Sequence, residues 1–500
     1  MPEALASQLP VLQIVLMLMS APVAAVAGRR GAWPIALVSA LISFAIAVTL
    51  FAHVLDGSVI VYHLGGWAPP LGIEYRVDAL NAFVLLIVSG VASLTLIYAR
   101  ESVAAEIAEE NRVLFYSAFL LCATGLMGVA ITADAFNLFV FLEISSLSAY
   151  ALIATGAGRD RRALTAAYNY LVMGTVGATF YVIGLGFLYM LTGTLNMADL
   201  AQRLLDHGDS RALRMGFAFI LVGLALKLAM FPLHLWLPNA YARAPSAVTS
   251  FLSATATKVI IYALMRLLFV VFAFDFAFEG QVLRLVMLPL ALIGIVVASV
   301  VALFQHDLKR MLAYSSIAQI GYMLLGITLL THGGLMASII HLFNHAVAKA
   351  ALFMVAGSFF LRTGSTSIRD LAGIGRDMPW TTAAFVAAGL SIIGVPLTVG
   401  FVSKWYLVEA IIGEGWWPIA FVVVGSSLVA LGYVWRVVEV AYLRDAPEGV
   451  IRKEAPLSML IPPWSYVDLS FYFGINAQLT SAAASRAANA LLGASNLFWQ

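Results

Sequence analysis

The stretch that decides the fold is residues 224–258, which read LALKLAMFPLHLWLPNAYARAPSAVTSFLSATATK. An apolar run containing Lys227 is interrupted at Pro232, because proline has no N–H to donate and disfavours helical geometry at the residue before it. Pro238 marks a second predicted break, and the apolar helix that follows contains Lys258. A lysine at the bilayer centre costs about 2.5–3.5 kcal/mol, and a broken helix is tolerated there only against protein or water. Lysines beside a broken helix therefore indicate an ion path.

The composition predicts an all-α polytopic membrane protein. Of 500 residues, 62% are hydrophobic and 11% are charged, with a mean hydropathy of +0.95, whereas soluble domains are about 25% charged. The net charge of +2 implies no nucleic-acid partner, and the single cysteine, Cys122, excludes an internal disulfide. Nucleotide, flavin, haem and iron–sulfur motifs are absent, so the sequence predicts no cofactor and no redox or hydrolytic chemistry in this chain.

The apolar blocks are about 20 residues long, the length that crosses a hydrocarbon core. Fourteen spans are predicted, the twelfth continuing as a second half-helix to about residue 412. They are 11–27, 34–54, 78–99, 113–131, 133–154, 163–191, 215–231, 249–272, 282–304, 311–330, 335–361, 381–395, 417–440 and 456–473.

The distribution of basic residues predicts the orientation. Arg29 and Arg30 follow the first span, which places the N-terminus outside by the positive-inside rule. The later loops on the same side of the predicted membrane are also rich in Arg and Lys, including Arg159, Lys309 and Arg310. An error of one helix in mid-chain would have inverted this bias for the rest of the chain.

We divide the chain into four segments: a three-helix segment (1–112), two five-helix repeats (113–273 and 280–443) and a last helix with an amphipathic tail (444–500). Each repeat contains a proline-broken helix with a lysine: Pro232 with Lys227, and Pro396 with Lys404. Because five is odd, two consecutive repeats must have opposite topology. Inverted repeats with broken helices are typical of secondary transporters.

Glu143 lies within a predicted span, in FVFLEISSLSAY, and Ser145, Ser146 and Ser148 offer it hydrogen-bond donors. Lys227 and Lys258 are its most natural partners. Desolvation favours the neutral form of a lysine and a nearby carboxylate favours the charged form, so moving the carboxylate makes the lysine release or take up a proton. The alternative is a static ion pair that fixes the packing of helices.

His341, His345 and Lys349 follow one another at i, i+4 and i+8 in HLFNHAVAKAALF and share one helix face, with Asn344 beside them. Histidine titrates near neutral pH, so this stripe is suited to passing protons between the two lysine regions. Two histidines at this spacing also resemble half of a zinc site, which no acidic residue or cysteine of the motif completes. A hydrogen-bonded core histidine is possible at either position.

Lys404, after the break at Pro396, is the predicted last relay residue; alternatively it extends to the membrane interface. His234 either gates a half-channel or caps the broken helix. We assign gating to His234, Pro232 and Pro396, and the proton relay to a larger set: Glu143, Lys227, Lys258, His341, His345, Lys349 and Lys404.

Three motifs carry a resemblance to a known family: the segment 226–258, the turn HDLKRMLAYSSIAQIGY (306–322) and the helix HLFNHAVAKAALF (341–353). They resemble the antiporter-like membrane subunits of respiratory complex I, membrane-bound hydrogenases and Mrp-type cation/proton antiporters. The segment GVPLTVGFVSKW (394–405) is most similar to the D-type subunits of Mrp antiporters. The resemblance covers about residues 112–443.

The resemblance implies fourteen helices, a proton path along a buried polar axis, other membrane subunits as partners and a bacterial plasma membrane location. By motif, Glu143 resembles the glutamate of the fifth helix and Lys227 its paired lysine. The implied function is proton conduction in a multisubunit Na⁺/proton antiporter. Two alternatives stay open: a proton-pumping subunit of an NADH dehydrogenase or hydrogenase, and a structural subunit with an inactive channel.

Overall fold

A computed structural model describes residues 7–208, 210–272, 277–446 and 452–496. The predicted segment ends at 1, 273 and 500 lie outside these residues. Within them the chain is almost entirely helical, as predicted. The helices are α1 (Leu9–Val54), α2 (Ala79–Glu106), α3 (Arg112–Ile131), α4 (Ala135–Ala154), α5 (Arg162–Thr192), α6 (Met197–Leu205), α7 (Arg211–Leu228), α8 (Trp236–Arg243), α9 (Ser246–Arg266), α10 (Ala277–Val282), α11 (Leu288–Leu303), α12 (Leu308–Thr328), α13 (His332–Thr363), α14 (Ile374–Asp377), α15 (Pro379–Ile393), α16 (Val399–Gly413), α17 (Trp417–Leu443), α18 (Leu457–Ile475) and α19 (Gln478–Asn496).

Helix α1 comprises two antiparallel halves that meet at Gly28. The amide of Gln13 donates to Ser43 at 3.0 Å, and Ser39 donates to Ser20 at 2.7 Å. Residues 30 apart in a straight helix would be about 45 Å apart, so the chain must double back between them. Gly28 has φ +66°, a left-handed conformation that glycine adopts without strain. The two halves correspond to the first two predicted spans.

Ten helices of the described chain are long and apolar enough to cross a membrane, and α1 is one of them. Predicted spans 7, 12 and 14 fall outside this set. Span 7 corresponds to α7, which contains several charged residues, and span 12 to α15 and α16, the short halves of a broken helix. Span 14 corresponds to α18, which contains Pro462 and Pro463. The protein is therefore a polytopic helical membrane protein, and the count of fourteen stays a prediction.

Of the three predicted helix breaks, those at Pro232 and Pro396 are present and the one at Pro238 was wrong. Helix α7 ends at Leu228, and an irregular segment containing Pro232 leads to α8. Pro238 makes no break, because it lies in the first turn of α8, where a proline removes no helical hydrogen bond. The second interruption falls instead at Ala244 and Pro245, before α9. The break at Pro396 separates α15 from α16 as predicted.

The loops define two faces of the molecule. Arg159 pairs with Glu106, and Arg243 pairs with Asp160, so these loops meet on one face, which we call the basic face. The opposite face carries an antiparallel hairpin, β1 (Ile60–His63) and β2 (Glu74–Val77), between the second and third predicted spans. We call it the hairpin face.

The two broken helices start on opposite faces. Before α7, Asn196 binds Glu74 of the hairpin at 3.2 Å. At the start of α15, the amide of Trp380 donates to Glu454, whose carbonyl accepts from Arg362 at the end of α13. The opposite topology expected for the two repeats agrees with these contacts. The predicted amphipathic tail is α19, which contacts the start of α13 through Ser485 and His332.

Candidate functional site

Glu143 and Lys227 form a direct ion pair between α4 and α7. Lys227 Nζ lies 2.9 Å from Glu143 Oε1 and donates to Ser146 Oγ at 3.0 Å. The lysine side chain is 4% exposed and the glutamate 23%. The sequence predicted that the serine hydroxyls would donate to Glu143, but Ser145 and Ser148 donate to carbonyls of their own helix. The pair therefore has a partly exposed acidic end and a buried basic end.

The first helix break lies next to this pair. Trp236 Nε1 donates to the carbonyl of Leu226 at 3.0 Å, which satisfies a group that the break has freed. The ring of His234 stacks on Phe231, and its buried Nδ1 has no hydrogen-bond partner among the described residues. The ring of His234 therefore makes no capping bond through Nδ1. Pro232 lies in the irregular segment between Leu228 and Trp236.

Lys258 does not pair with Glu143, contrary to one of the two predicted pairings. Its Nζ donates to the carbonyl of Ser253 and to Thr257 Oγ1, both on its own helix α9. A cavity of about 20 Å³ lies beside Lys227, with Leu252, Ala256 and Ile260 of α9 among its walls. A cavity of this size holds about one water molecule. Lys258 is not among the residues that line this cavity.

Helix α13 carries the predicted histidine and lysine stripe in the protein interior. Lys349 Nζ donates to Leu312 O at 2.7 Å and to the hydroxyl of Ser315, both on α12. The rings of His341 and His345 are 6.4 Å apart. Within the described chain neither ring nitrogen of His345 has a hydrogen-bond partner, although the residue is fully buried. Such nitrogens are candidates for binding internal water.

His341 contacts the second repeat through Ser403 of α16. Its Nδ1 lies 2.9 Å from Ser403 Oγ, and that hydroxyl donates to Gly400 O. The Ser403 hydroxyl has one proton, which it gives either to Gly400 O or to Nδ1, so the roles in the contact with His341 depend on the tautomer of the ring. Nε2 is buried without a partner in the described structure. Among those residues no group of three or more histidines, cysteines or acidic residues could hold a metal ion.

Lys404 stabilises the second helix break through three hydrogen bonds. Its Nζ donates to the carbonyls of Ile392 and Ile393, each at 3.0 Å, and to Ser427 Oγ at 2.9 Å. These carbonyls belong to the end of α15 at the break containing Pro396. The predicted alternative, a side chain extended to the membrane interface, is wrong because the residue is buried.

Sequence reasoning missed Tyr322, which lies between His341 and Lys404. Its ring is 5.5 Å from that of His341, and Lys404 Nζ lies 4.9 Å from its centroid. The Tyr322 hydroxyl shares a hydrogen bond of 2.6 Å with Ser426. Its position at the end of the motif 306–322 gave no signal of a role, because an isolated tyrosine in an apolar helix is usually a packing residue.

The predicted relay residues thus fall into three adjoining groups. Glu143 and Lys227 form the first. Lys258, His345 and Lys349 lie on α9 and α13, whose buried faces pack together. His341 and Lys404 form the third group with Tyr322 and Ser403, around the second break.

Comparison with known proteins agrees with this architecture. The family described as NADH:quinone oxidoreductase/Mrp antiporter, transmembrane, matches residues 132–430. The N-type subunit of the NADH-quinone oxidoreductase of Desulforudis audaxviator is 43% identical, covering 83% of this chain and 81% of that protein. The D-type subunit of the Na⁺/H⁺ antiporter of Bacillus subtilis is 30% identical, with 86% and 85% covered.

Among solved structures, a chain of the Mrp complex of a Dietzia species superposes with a TM-score of 0.88 at 27% identity, covering 98% of each chain. The match of the family spans more than half of the sequence, and it includes both helix breaks and every predicted relay residue. The chain therefore belongs to the NADH:quinone oxidoreductase/Mrp antiporter transmembrane family.

Proposed function

We propose that this chain is a proton-conducting membrane subunit of a multisubunit Na⁺/proton antiporter in a bacterial plasma membrane, with its N-terminus outside. The observation that carries the proposal is the buried series of ionisable side chains between the two helix breaks. Burying such residues in a membrane protein costs free energy, and they usually mark an ion pathway.

The first step that we propose is control of Lys227 by Glu143. The carboxylate of Glu143, at 2.9 Å, is the counter-ion of the Lys227 ammonium group. If the carboxylate moves away or is neutralised, Lys227 loses its counter-ion and releases its proton. The partly exposed position of Glu143 makes it the side of the pair that a neighbouring subunit can reach.

The second step passes the proton along α13 and out through Lys404. His341 Nε2 and both ring nitrogens of His345 are buried and lack protein partners in the described structure, so water is required to join them. Lys404 follows at the second break, where a change in its charge would alter its bonds to the carbonyls of Ile392 and Ile393. The assignment to an antiporter also draws on the Bacillus subtilis and Dietzia proteins.

A second candidate function is proton pumping in a redox-driven complex. The higher identity, 43%, to a subunit of an NADH-quinone oxidoreductase favours it. The proton path would be the same, and the redox cofactors would lie in other subunits. Purification of the complex that contains this chain distinguishes the two, because only the redox complex would show flavin and iron–sulfur absorption.

The proposed function is tested in vesicles that carry the whole operon. A pH gradient is imposed, and Na⁺, K⁺ or Li⁺ is added while a pH-sensitive dye reports the gradient. Antiport predicts dequenching with at least one cation, and its loss in Lys227→Ala. Lys453→Ala, the same change at an exposed lysine, is the matched control. If Lys227→Ala assembles and retains full dequenching, the relay is wrong and a structural subunit is the better interpretation.

A further inference from the structure

A cleft of about 320 Å³ lies at the basic face between α1, α2 and α3. Four arginines line it, from the turn in the middle of α1, the end of α2 and the start of α3: Arg29, Arg30, Arg100 and Arg112. Glu109 is the one acidic residue that lines the cleft in the described chain, and it pairs with Arg29 at 2.7 Å. Four arginines and one glutamate give the lining a net charge of +3. A cleft with such an excess of positive charge favours an anionic ligand.

Two of these arginines have unused hydrogen-bond donors. Neither Arg30 nor Arg100 has a hydrogen-bond acceptor among the described residues. The guanidinium of Arg100 lies 5.0 Å from the centroid of the Trp33 ring, and Trp33 Nε1 donates to Leu96 O at 2.9 Å. The ring therefore holds this guanidinium at the edge of the cleft. Because the N–H groups of a guanidinium match two oxygens of a phosphate, the cleft offers two groups suited to binding one.

A second, apolar cavity of about 400 Å³ lies deeper between α1, α2, α13 and α18. Its walls include residues 41–51 of α1 and 83–97 of α2, and no charged residue of the described chain lines it. The stretch 83–97 is about 21 Å long in a helix, whereas one leaflet of the hydrocarbon core is about 15 Å thick. A large apolar cavity excludes water and binds apolar ligands. At membrane depth the ligand that fits it is a hydrocarbon chain.

The cleft and the apolar cavity adjoin along α1 and α2. Pro34 of the cleft, the exposed Val38 and Leu41 of the cavity recur at i, i+4 and i+7, the spacing of one helix face. On α2, Arg100 of the cleft lies one turn from Ile97 of the cavity. The same two helices therefore carry an anion-binding cleft at the membrane surface and an apolar cavity one to two turns below it. A negatively charged phosphate joined to hydrocarbon chains is the chemistry of a phospholipid.

We propose that the cleft and the cavity together bind one anionic phospholipid, with its phosphate on Arg30 and Arg100 and one acyl chain in the cavity. The net charge of +3 favours an anionic lipid over a zwitterionic one, because basic pockets between membrane helices attract anionic headgroups. The chain packs against Phe343, Ala346 and Val347 of α13, on the side of that helix opposite the histidine and lysine stripe. This lipid site goes beyond the proposed function and does not depend on ion conduction.

Photo-cross-linking tests the site in the assembled complex. The complex is reconstituted in phosphatidylcholine vesicles that contain a small fraction of phosphatidylglycerol with a diazirine in one acyl chain. The cross-linked peptides are then identified by mass spectrometry. We expect several-fold more cross-links in 41–51 and 83–97 than with the matching phosphatidylcholine probe, and similar yields from both probes on the control helix α17. Equal yields from the two probes in the cavity segments, or no cross-links there because a neighbouring subunit fills the site, would overturn the proposal.

Charge variants test the role of the arginines. Arg30→Gln combined with Arg100→Gln should lower the phosphatidylglycerol yield in the cavity segments to that of phosphatidylcholine. The matched control combines Arg161→Gln with Arg369→Gln, since both of these arginines are exposed and lie outside the cleft. An unchanged yield in the first double variant, or an equal loss in the second, would show that the cleft does not select the lipid.

Glu109→Gln should act in the opposite direction. It raises the net charge of the lining from +3 to +4 and frees Arg29, so the phosphatidylglycerol yield should rise. Glu110→Gln is the matched control, because Glu110 is exposed and does not line the cleft. A lower yield in Glu109→Gln than in Glu110→Gln would contradict binding by charge.

Thermal unfolding of the purified complex distinguishes a lipid from a free anion. Long-chain phosphatidylglycerol, dihexanoyl phosphatidylglycerol and inorganic phosphate are added at equal concentration. We expect the long-chain lipid to raise the unfolding temperature by several degrees more than the other two, and this rise to be lost when Arg30 and Arg100 are replaced by Gln. An equal rise with inorganic phosphate would leave only an anion cleft and overturn the lipid site. No ion gradient is imposed, so these results and those of the antiport assay can fail separately.

Discussion

Lys404 Nζ lies 3.0 Å from the carbonyl oxygen of Ile393 and the same distance from that of Ile392, so a side chain from the second half of a broken helix satisfies the end of the first half. A hydrogen bond from a charged donor to a carbonyl is stronger than one from a neutral donor. The same residue is therefore part of the proposed proton path and part of what holds the break together.

Lys404→Met should reduce both transport and stability. Methionine retains the volume but leaves both carbonyls unpaired, and each buried unpaired group costs about 1–3 kcal/mol. Thermal unfolding of the purified complex should shift to lower temperature, with dequenching lost. Ser427→Ala, which removes only one of the three partners of Lys404, should have a smaller effect on both. An unchanged unfolding temperature in Lys404→Met would contradict the role of Lys404 in stabilising the break.

Gly394→Ala should destabilise the second break. Gly394 has φ +89°, and an added Cβ would lie 2.9 Å from Lys404 Cδ. The left-handed conformation alone costs an alanine about 1–2 kcal/mol. Gly425→Ala on α17 is the control, because a Cβ there meets nothing within 4 Å and alanine is the better helix former by about 1 kcal/mol. The two variants should shift the unfolding temperature in opposite directions.

His345→Leu should separate stability from transport. Both ring nitrogens lack partners in the described structure, so replacement by an apolar side chain of similar size removes no protein hydrogen bond. We expect the assembled complex to unfold at or above the wild-type temperature while proton transport is lost. His341→Leu breaks the contact with Ser403 and should unfold at a lower temperature than His345→Leu. Retained transport in His345→Leu would remove this residue from the path.

Asp78→Asn should destabilise the hairpin-face end of α9. Asp78 and Arg266 form a bidentate pair at 2.7 and 2.9 Å, and each side chain is 12% exposed. Removing one partner of a buried pair costs about 3–5 kcal/mol. The control is Asp199→Asn, which breaks the more exposed pair with Arg203 and should cost about 0–1 kcal/mol. Similar thermal shifts in the two variants would contradict the structural role of Asp78.

The sequence predicted the parts of the fold that depend on local chemistry. The breaks at Pro232 and Pro396 and the stripe of His341, His345 and Lys349 follow from proline geometry and helical periodicity. The predicted break at Pro238 was wrong because the sequence does not distinguish a proline in the first turn of a helix from a proline that ends one. The two cases differ in where the helix begins: α8 starts at Trp236, two residues before Pro238, without a side-chain cap.

The remaining features depend on packing between distant segments. The burial of Lys309 could not be predicted from its motif, which reads as a polar turn; it follows from the approach of α12 to the carbonyl of Ala244. The pairing of Glu143 with Lys227 rather than Lys258 likewise depends on which face of α9 turns toward α4. The sequence does not distinguish the hydroxyls of Ser246 and Ser250, which lack a partner in the described structure, from those of Thr249 and Thr255, which donate to carbonyls.

Helix α13 runs without interruption from His332 to Thr363, while the helices on which His341 and Lys349 find their partners belong to separate elements, α16 and α12. Helix α13 is therefore one continuous element that contacts both α12 and α16. Helix α12 contacts both ends of the stripe, through Ser315 at Lys349 and through Tyr322 at His341, so a tilt of α12 would change the spacing at both ends together.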